Sequence, residues 1–195
     1  MAFTPSQHIL GITAGGQLGK MIAQAAITWD LPVVIMDPDP GCPARQLGVK
    51  FIQGDQRLEA DIRKLGREIT LLALEIEHVS VEGLYALQDE GIQIIPTPAS
   101  LALIQDKGLQ KSTLAEHHIP TLPFELMDDA RAITQAVHEG RLQLPFVQKT
   151  RRAGYDGRGV KQVNHMSDLS DLLEGPSVVE RLCDIEKEIS LIVAG

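Results

Sequence analysis

From Ile9 the chain alternates short apolar runs with segments of helical periodicity. HILGIT is followed by QLGKMIAQAAITW, then by PVVIMD, a linker containing DPDPGCPA, and VKFIQGD. A helical stretch near residues 58–65, the run LLALEIE, a helix over residues 81–89 and the run IQIIP complete the series. Such runs predict strands, and the 3.6-residue period predicts helices. Their alternation through short connections predicts a doubly wound parallel sheet with helices on both faces, over residues 1–100.

Pro-Thr-Pro at 96–98 breaks the rhythm. Beyond it, ASLALIQDKGLQKSTLAEHH reads as one helix with Gly108 as its weak point, and HIPTLPF as a Pro-punctuated connection. A helix near 128–138, the strand LPFVQKT, a loop, the strand VKQVN, a helix near 167–173 and the strands SVVERL and EISLIVA follow. Strands flanking helices, rather than alternating with them, predict a separate α+β unit over 101–195. An apolar strand at 188–194 without a partner would be an exposed edge, so this second unit is expected to be incomplete.

Composition narrows the function classes. At 195 residues, 44% hydrophobic and 23% charged, the chain can bury one large core or two small ones. A formal charge of -8 argues against a broad basic face for nucleic acid, so any phosphate is expected to be bound locally. Cys42 and Cys183, the two cysteines, stand far apart in neither a disulfide nor a zinc pattern, which fits a reducing cytoplasm. No run approaches the ~20 apolar residues of a membrane span, and the N-terminus lacks an export-signal pattern.

Four motifs carry candidate chemistry. TAGGQLGKM follows a strand and opens a helix, where free N–H groups favour an anion. A dinucleotide fingerprint needs glycine where Ala14 stands, although Gly16, Gly19 and Asp37 are placed for one. A tight turn without ligand and an NAD site both remain open there. LEIEHV puts Glu75 and Glu77 two apart at the end of a strand, hence on one face, either toward a ligand or as a solvated strand exit. KTRRAGYDGRG offers Lys149 as a point charge, glycines for an anion-binding nest, and Arg151, Arg152 and Arg158 for bidentate grip on phosphate or carboxylate. Tyr155 and Asp156 exceed what phosphate binding needs and hint at a second ligand. SVVERLCDIEKEISL can hold a purine edge after Glu180 and ribose hydroxyls on a later carboxylate, or form a solvated hairpin.

In combination and in this order, GGQLGKM (15–21), MDPDPGCPA (36–44), EIEHV (75–79), QDKGLQK (105–111), KTRRAGYDGRG (149–159) and VVERLCDIEKEIS (178–190) resemble the 5-(carboxyamino)imidazole ribonucleotide synthases. These are ATP-grasp enzymes, the ATPase subunits of phosphoribosylaminoimidazole carboxylase. The resemblance implies a pre-ATP-grasp domain followed by the small lobe of an ATP-grasp domain. It also implies ATP-dependent carboxylation of 5-aminoimidazole ribonucleotide by bicarbonate through carboxyphosphate. By position, Lys107 and Lys149 resemble lysines for ATP phosphates, and Gly154, Tyr155, Asp156, Gly157, Arg158, Gly159 and Val160 the glycine-rich lid. Glu180, Arg181, Leu182 and Cys183 resemble the hinge that reads adenine, and Glu188 the ribose carboxylate. Gln17, Leu18 and Glu75 are similar to ribonucleotide contacts, and Tyr155, Asp156 and Arg158 to residues reaching the substrate and the bicarbonate-derived intermediate.

The sequence departs from the family at Ala14 and Ala153, where glycine is common; alanine is expected to be tolerated unless φ is positive. The unit over 101–195 is expected to hold the small lobe and the start of the large lobe, with the rest of that lobe and the Mg2+ carboxylates expected beyond residue 195. The resemblance further implies a cytoplasmic homodimer. An NAD-dependent oxidoreductase and a non-catalytic nucleotide-binding module are the alternatives.

Overall fold

The computed structural model describes residues 4–152, 154 and 159–191. The chain divides into two units, Met1–Gln105 and Asp106–Gly195.

The first unit runs β1 (Leu10–Ile12), α1 (Gln17–Thr28), β2 (Val33–Asp37), a 3-10 turn (Pro43–Leu47), β3 (Lys50–Gln53), α2 (Glu59–Gly66), β4 (Leu71–Ala73), α3 (Val81–Asp89), β5 (Gln93–Ile95) and α4 (Pro98–Gln105). Its five strands form one sheet in the order β3-β2-β1-β4-β5, each neighbouring pair parallel. Strand alternation divides the core between two layers. Leu10, Ile12, Val33 and Ile35 pack with Ala23 and Ala26 of α1 and with Ala44 of the 3-10 turn. Val34, Met36, Ile52, Leu72 and Ile94 pack with Ile62 and Leu65 of α2 and Leu84 and Leu87 of α3. This is the doubly wound sheet the apolar pattern predicts. Its topological switch lies at β1 and β4, and ligands in such sheets gather outside the carboxyl ends there.

The second unit runs α5 (Lys107–Glu116), β6 (Phe124–Met127), α6 (Ala130–His138), β7 (Phe146–Thr150), β8 (Val160–Val163), a 3-10 turn (Met166–Asp171) and β9 (Ser177–Arg181). The strands form an antiparallel sheet in the order β6-β9-β7-β8. Ile133 and Ala136 of α6 close its core over Phe146, Val163, Val179 and Met127. Asp129 starts that helix by accepting the Ala132 N–H at 2.7 Å.

Several elements differ from the sequence pattern for local reasons. The helix expected over 99–118 breaks at Asp106, whose extended backbone and carboxylate start α5 by accepting the Gly108 and Leu109 N–H groups. Gly108 lies inside α5, where a Cβ would meet Arg151 Nε at 2.5 Å. β6 falls within and just after the stretch read as a connection; four residues with both middle side chains exposed give little periodicity. The helix near 167–173 is a 3-10 turn. Of the strand expected at 188–194, the described part carries no ladder, and Ile189 and Leu191 are exposed. Without a neighbouring strand to bond, the apolar alternation there does not make one.

Candidate functional site

In the first unit, the chain leaves β1 and turns through Ala14–Gly16 into α1, with Gly16 at the cap position and no side-chain cap. The Gly15 N–H donates to Asp37 Oδ2 at 2.7 Å, and the Asp39 N–H to Asp37 Oδ1 at 2.8 Å. Asp37 thus braces the turn from the end of β2. Gly19 is where helix and strand come closest, since a Cβ there would lie 1.9 Å from the Ala14 carbonyl oxygen. Asp30 and His118 are the non-glycine residues at positive φ among the described residues, so Ala14 is accommodated without backbone strain. Gln17 and Leu18, at the start of α1, are both exposed.

Glu75 lies outside the other central strand. β4 ends at Ala73, so the strand geometry expected to put Glu75 and Glu77 on one face does not extend to them. Glu75 is half-buried and Glu77 exposed. Burial, then the charges of Asp37 and Glu77, push the Glu75 carboxyl above its usual range. The turn is pinned by Gln105, a residue the motif reading gave no role. Its side-chain amide donates to the Glu77 carbonyl at 2.7 Å and the Val79 carbonyl at 2.8 Å. The carboxyl edge therefore gathers the α1 N-terminus, Asp37 and Glu75.

In the second unit the site grows from the register of β7 and β9. Val147 pairs with Glu180 and Lys149 with Val178, so Lys149, two residues along, shares a face with Glu180 on a diagonal. The Lys149 ammonium is ion-paired with Glu180 Oε2, and the Lys111 ammonium of α5 with Oε1. Glu180 is 2% exposed. Burial pushes its carboxyl up, but bonds to Lys111 and Lys149 and their charges outweigh burial and leave it below its usual range. Lys111 also donates to Thr121 Oγ1 at 2.6 Å and lies over the Phe124 ring. The signal for Lys111 was its i, i+4 spacing from Lys107 on one helix face.

A second ion pair anchors the root of the glycine-rich loop. Arg151 donates to both Asp106 oxygens at 2.8 Å. Its bidentate grip falls on a carboxylate of its own unit. The exposed Arg152 makes a looser 3.4 Å contact with Asp106 Oδ2. Burial raises the Asp106 carboxyl, and Arg151, the Leu109 N–H and Arg152 together bring it below its usual range. The Lys107 N–H donates to the Arg151 carbonyl at 2.9 Å, and the Lys107 ammonium to the Gly154 carbonyl at 3.2 Å. The far end closes where the Thr150 N–H donates to the Gly159 carbonyl at 2.8 Å, ahead of Val160 on β8. Tyr155, Asp156, Gly157, Arg158 and Ala153 lie outside the described residues. Arg181 and Leu182 line a cleft of 630 Å³ with Phe124, Phe146 and Val179. Cys183 and Glu188 are exposed on a segment without regular structure.

Residues 8–105 match the ribonucleotide synthetase preATP-grasp domain. The chain belongs to that family. Residues 112–195 match the ATP-grasp domain, so the ribonucleotide synthetase preATP-grasp unit is followed by ATP-grasp sequence. Over 188 residues the chain is 35% identical to an N5-carboxyaminoimidazole ribonucleotide synthase of Staphylococcus aureus, covering 94% of this chain and 50% of that protein. The fold is similar to the crystal structure of N5-carboxyaminoimidazole ribonucleotide synthetase from Thermotoga maritima, with a TM-score of 0.80 and 31% identity over 92% of this chain and 47% of that one. It is also similar to N5-carboxyaminoimidazole synthetase from Staphylococcus aureus complexed with ADP, with a TM-score of 0.79 and 31% identity over 92% and 48%. The chain thus spans about half the length of the relatives it matches. Among the described residues no helix is long and apolar enough to cross a membrane.

Proposed function

We propose that these 195 residues are the substrate- and nucleotide-contacting portion of an ATP-dependent ligase. It carboxylates the exocyclic amine of 5-aminoimidazole ribonucleotide with bicarbonate, through carboxyphosphate. The observation that carries the reading is the pair of lysines on the buried Glu180 carboxylate, beside a glycine-rich loop rooted by Lys107 and Arg151. Phosphoryl transfer depends mainly on positioning and on neutralising charge at phosphate oxygens, which ammonium groups supply. The similarity to the Staphylococcus aureus synthetase complexed with ADP supports nucleotide binding in this reading.

In this reading Lys107 and Lys149 take the ATP phosphates, and the loop 154–160 closes over them. Arg181, Leu182 and Cys183 offer backbone groups to adenine beside the cleft, and Glu188 takes the ribose hydroxyls. Gln17, Leu18 and Glu75, at the carboxyl edge of the parallel sheet, receive the ribonucleotide. Tyr155, Asp156 and Arg158 reach its reacting amine and the carboxylating intermediate. A closing lid protects carboxyphosphate from water. Mg2+ would neutralise the transferred phosphate. Among the described residues no group of three or more His, Cys, Asp or Glu is placed to hold it. A cytoplasmic location and a homodimer belong to the same proposal.

The Ala14 in place of a fingerprint glycine weighs against a dinucleotide site, although Asp37 keeps acceptor capacity beyond the Gly15 and Asp39 N–H groups. Thermal unfolding with Mg-ATP and with NADH tests the choice. Stabilisation by Mg-ATP, lost in Lys149→Met, is expected; stabilisation by NADH alone would sink the ligase reading.

A further inference from the structure

The triad Lys111–Glu180–Lys149, built on one buried carboxylate, holds two cations and one anion. Its two ammonium groups are not equivalent. Lys111 projects from α5, is 18% exposed at its side chain, and is held three ways, by Glu180, by Thr121 Oγ1 at 2.6 Å and by the Phe124 ring 5.9 Å away. Lys149 is 33% exposed at its side chain, and among the described residues Glu180 is the one partner of its ammonium. It stands next to Thr150, where the glycine-rich loop closes on Gly159. A carboxylate as buried as Glu180 needs a counterion at all times, because removing one partner of a buried pair strands the other charge.

We propose that Lys111 is a positioning residue, the standing counterion of Glu180, which lets Lys149 leave that carboxylate for a phosphate. The inference rests on the reading that Lys149 meets ATP phosphates. The triad carries one positive charge in excess, so transfer of Lys149 to phosphate leaves Glu180 neutralised by Lys111. Without Lys111, Glu180 holds Lys149 as its sole counterion, and nucleotide competes with a buried ion pair for the same ammonium. Lys111 acts through Lys149 and touches no nucleotide itself.

Pulse acetylation with acetic anhydride, read lysine by lysine by mass spectrometry, tests the division without nucleotide. In Lys111→Met, Lys149 is expected to label severalfold more slowly than in the wild-type chain. In Lys111→Met/Glu180→Gln it labels faster than wild type, and Lys111→Arg stays near wild type. ATP binding by titration should weaken about tenfold in Lys111→Met, the scale of one charge-assisted contact. It should return in the double variant, a rescue that a merely structural lysine would not show. Unchanged Lys149 labelling in Lys111→Met, or ATP binding that weakens in Lys111→Met and is not restored by Glu180→Gln, overturns the proposal. In the wild-type chain, which avoids any variant that fails to fold, saturating ATP should change Lys149 labelling while Lys111 stays protected. Equal, non-zero changes at both overturn it. If the variants label as expected and ATP binds nowhere, the nucleotide reading fails while the division of counterions stands.

Discussion

At φ +74° Gly159 lies in the left-handed region, and a Cβ there would meet Thr150 Oγ1 at 2.3 Å. Gly159→Ala is expected to cost about 1–3 kcal/mol from backbone strain, loosening the loop closure. Gly19→Ala should cost more, about 3 kcal/mol or above, because the obstacle is the Ala14 carbonyl, which cannot rotate aside. Urea unfolding followed by Trp29 fluorescence, a reporter within the first unit, measures the Gly19 effect; a loss below that of Gly159→Ala would refute the ranking. Glu75 runs the other way. Its folded carboxyl is raised, so stability is fully present below the ordinary value of 4.5 and is lost as pH rises through the raised value. Glu75→Gln is therefore expected to raise the melting temperature at neutral pH by about 1–3 °C, with no gain at pH 4. A residue that stabilises when replaced marks a position kept for a ligand.

Helix α5 shows what an element owes to one side chain. Asp106 caps it, accepting the Gly108 and Leu109 N–H groups, and also holds Arg151 at the root of the loop. Asp106→Ala removes both functions and should cost about 2–4 kcal/mol. Asp106→Asn keeps the cap and should recover about 1 kcal/mol of that loss. Denaturant titration of the pair checks the split, and equal losses would show that the cap contributes nothing. Because the Asp106 carboxyl is depressed, its contribution is complete above the ordinary 3.8 and falls away as pH drops through the lower folded value. The parallel sheet was legible from sequence because apolar runs such as PVVIMD are buried on both faces. The break at Asp106 was not, since its carboxylate's long-range partner Arg151 lies 45 residues away. Lys149 was legible as a point charge on the strand that leads into the glycines. Its partner Glu180 was read as a hinge, because pairing across β7 and β9 depends on a register no local pattern displays.

For the whole molecule, the question is how a chain of net charge -8 serves a polyanionic nucleotide. Charges beyond a Debye length of about 8 Å at physiological salt are largely screened, so the lysines at the loop outweigh the distant acids. Binding therefore rests on a few local cations. Ligand that binds the folded state stabilises it by about 2.7 kcal/mol at a hundredfold excess over Kd, so a modest upward shift in melting temperature is expected at millimolar ATP. Chemistry asks for more than binding. Among the described residues no group of three or more His, Cys, Asp or Glu is placed for Mg2+, and charge on the transferred phosphoryl group is not met by lysines alone. The 195-residue chain, given ATP, bicarbonate and 5-aminoimidazole ribonucleotide, is accordingly expected to bind nucleotide and release no ADP above background. A coupled ADP assay with omission of each substrate decides it. Release that requires both bicarbonate and the ribonucleotide would place the metal-binding groups within these residues while upholding the ligase assignment, and release that ignores the ribonucleotide would count against the assignment itself.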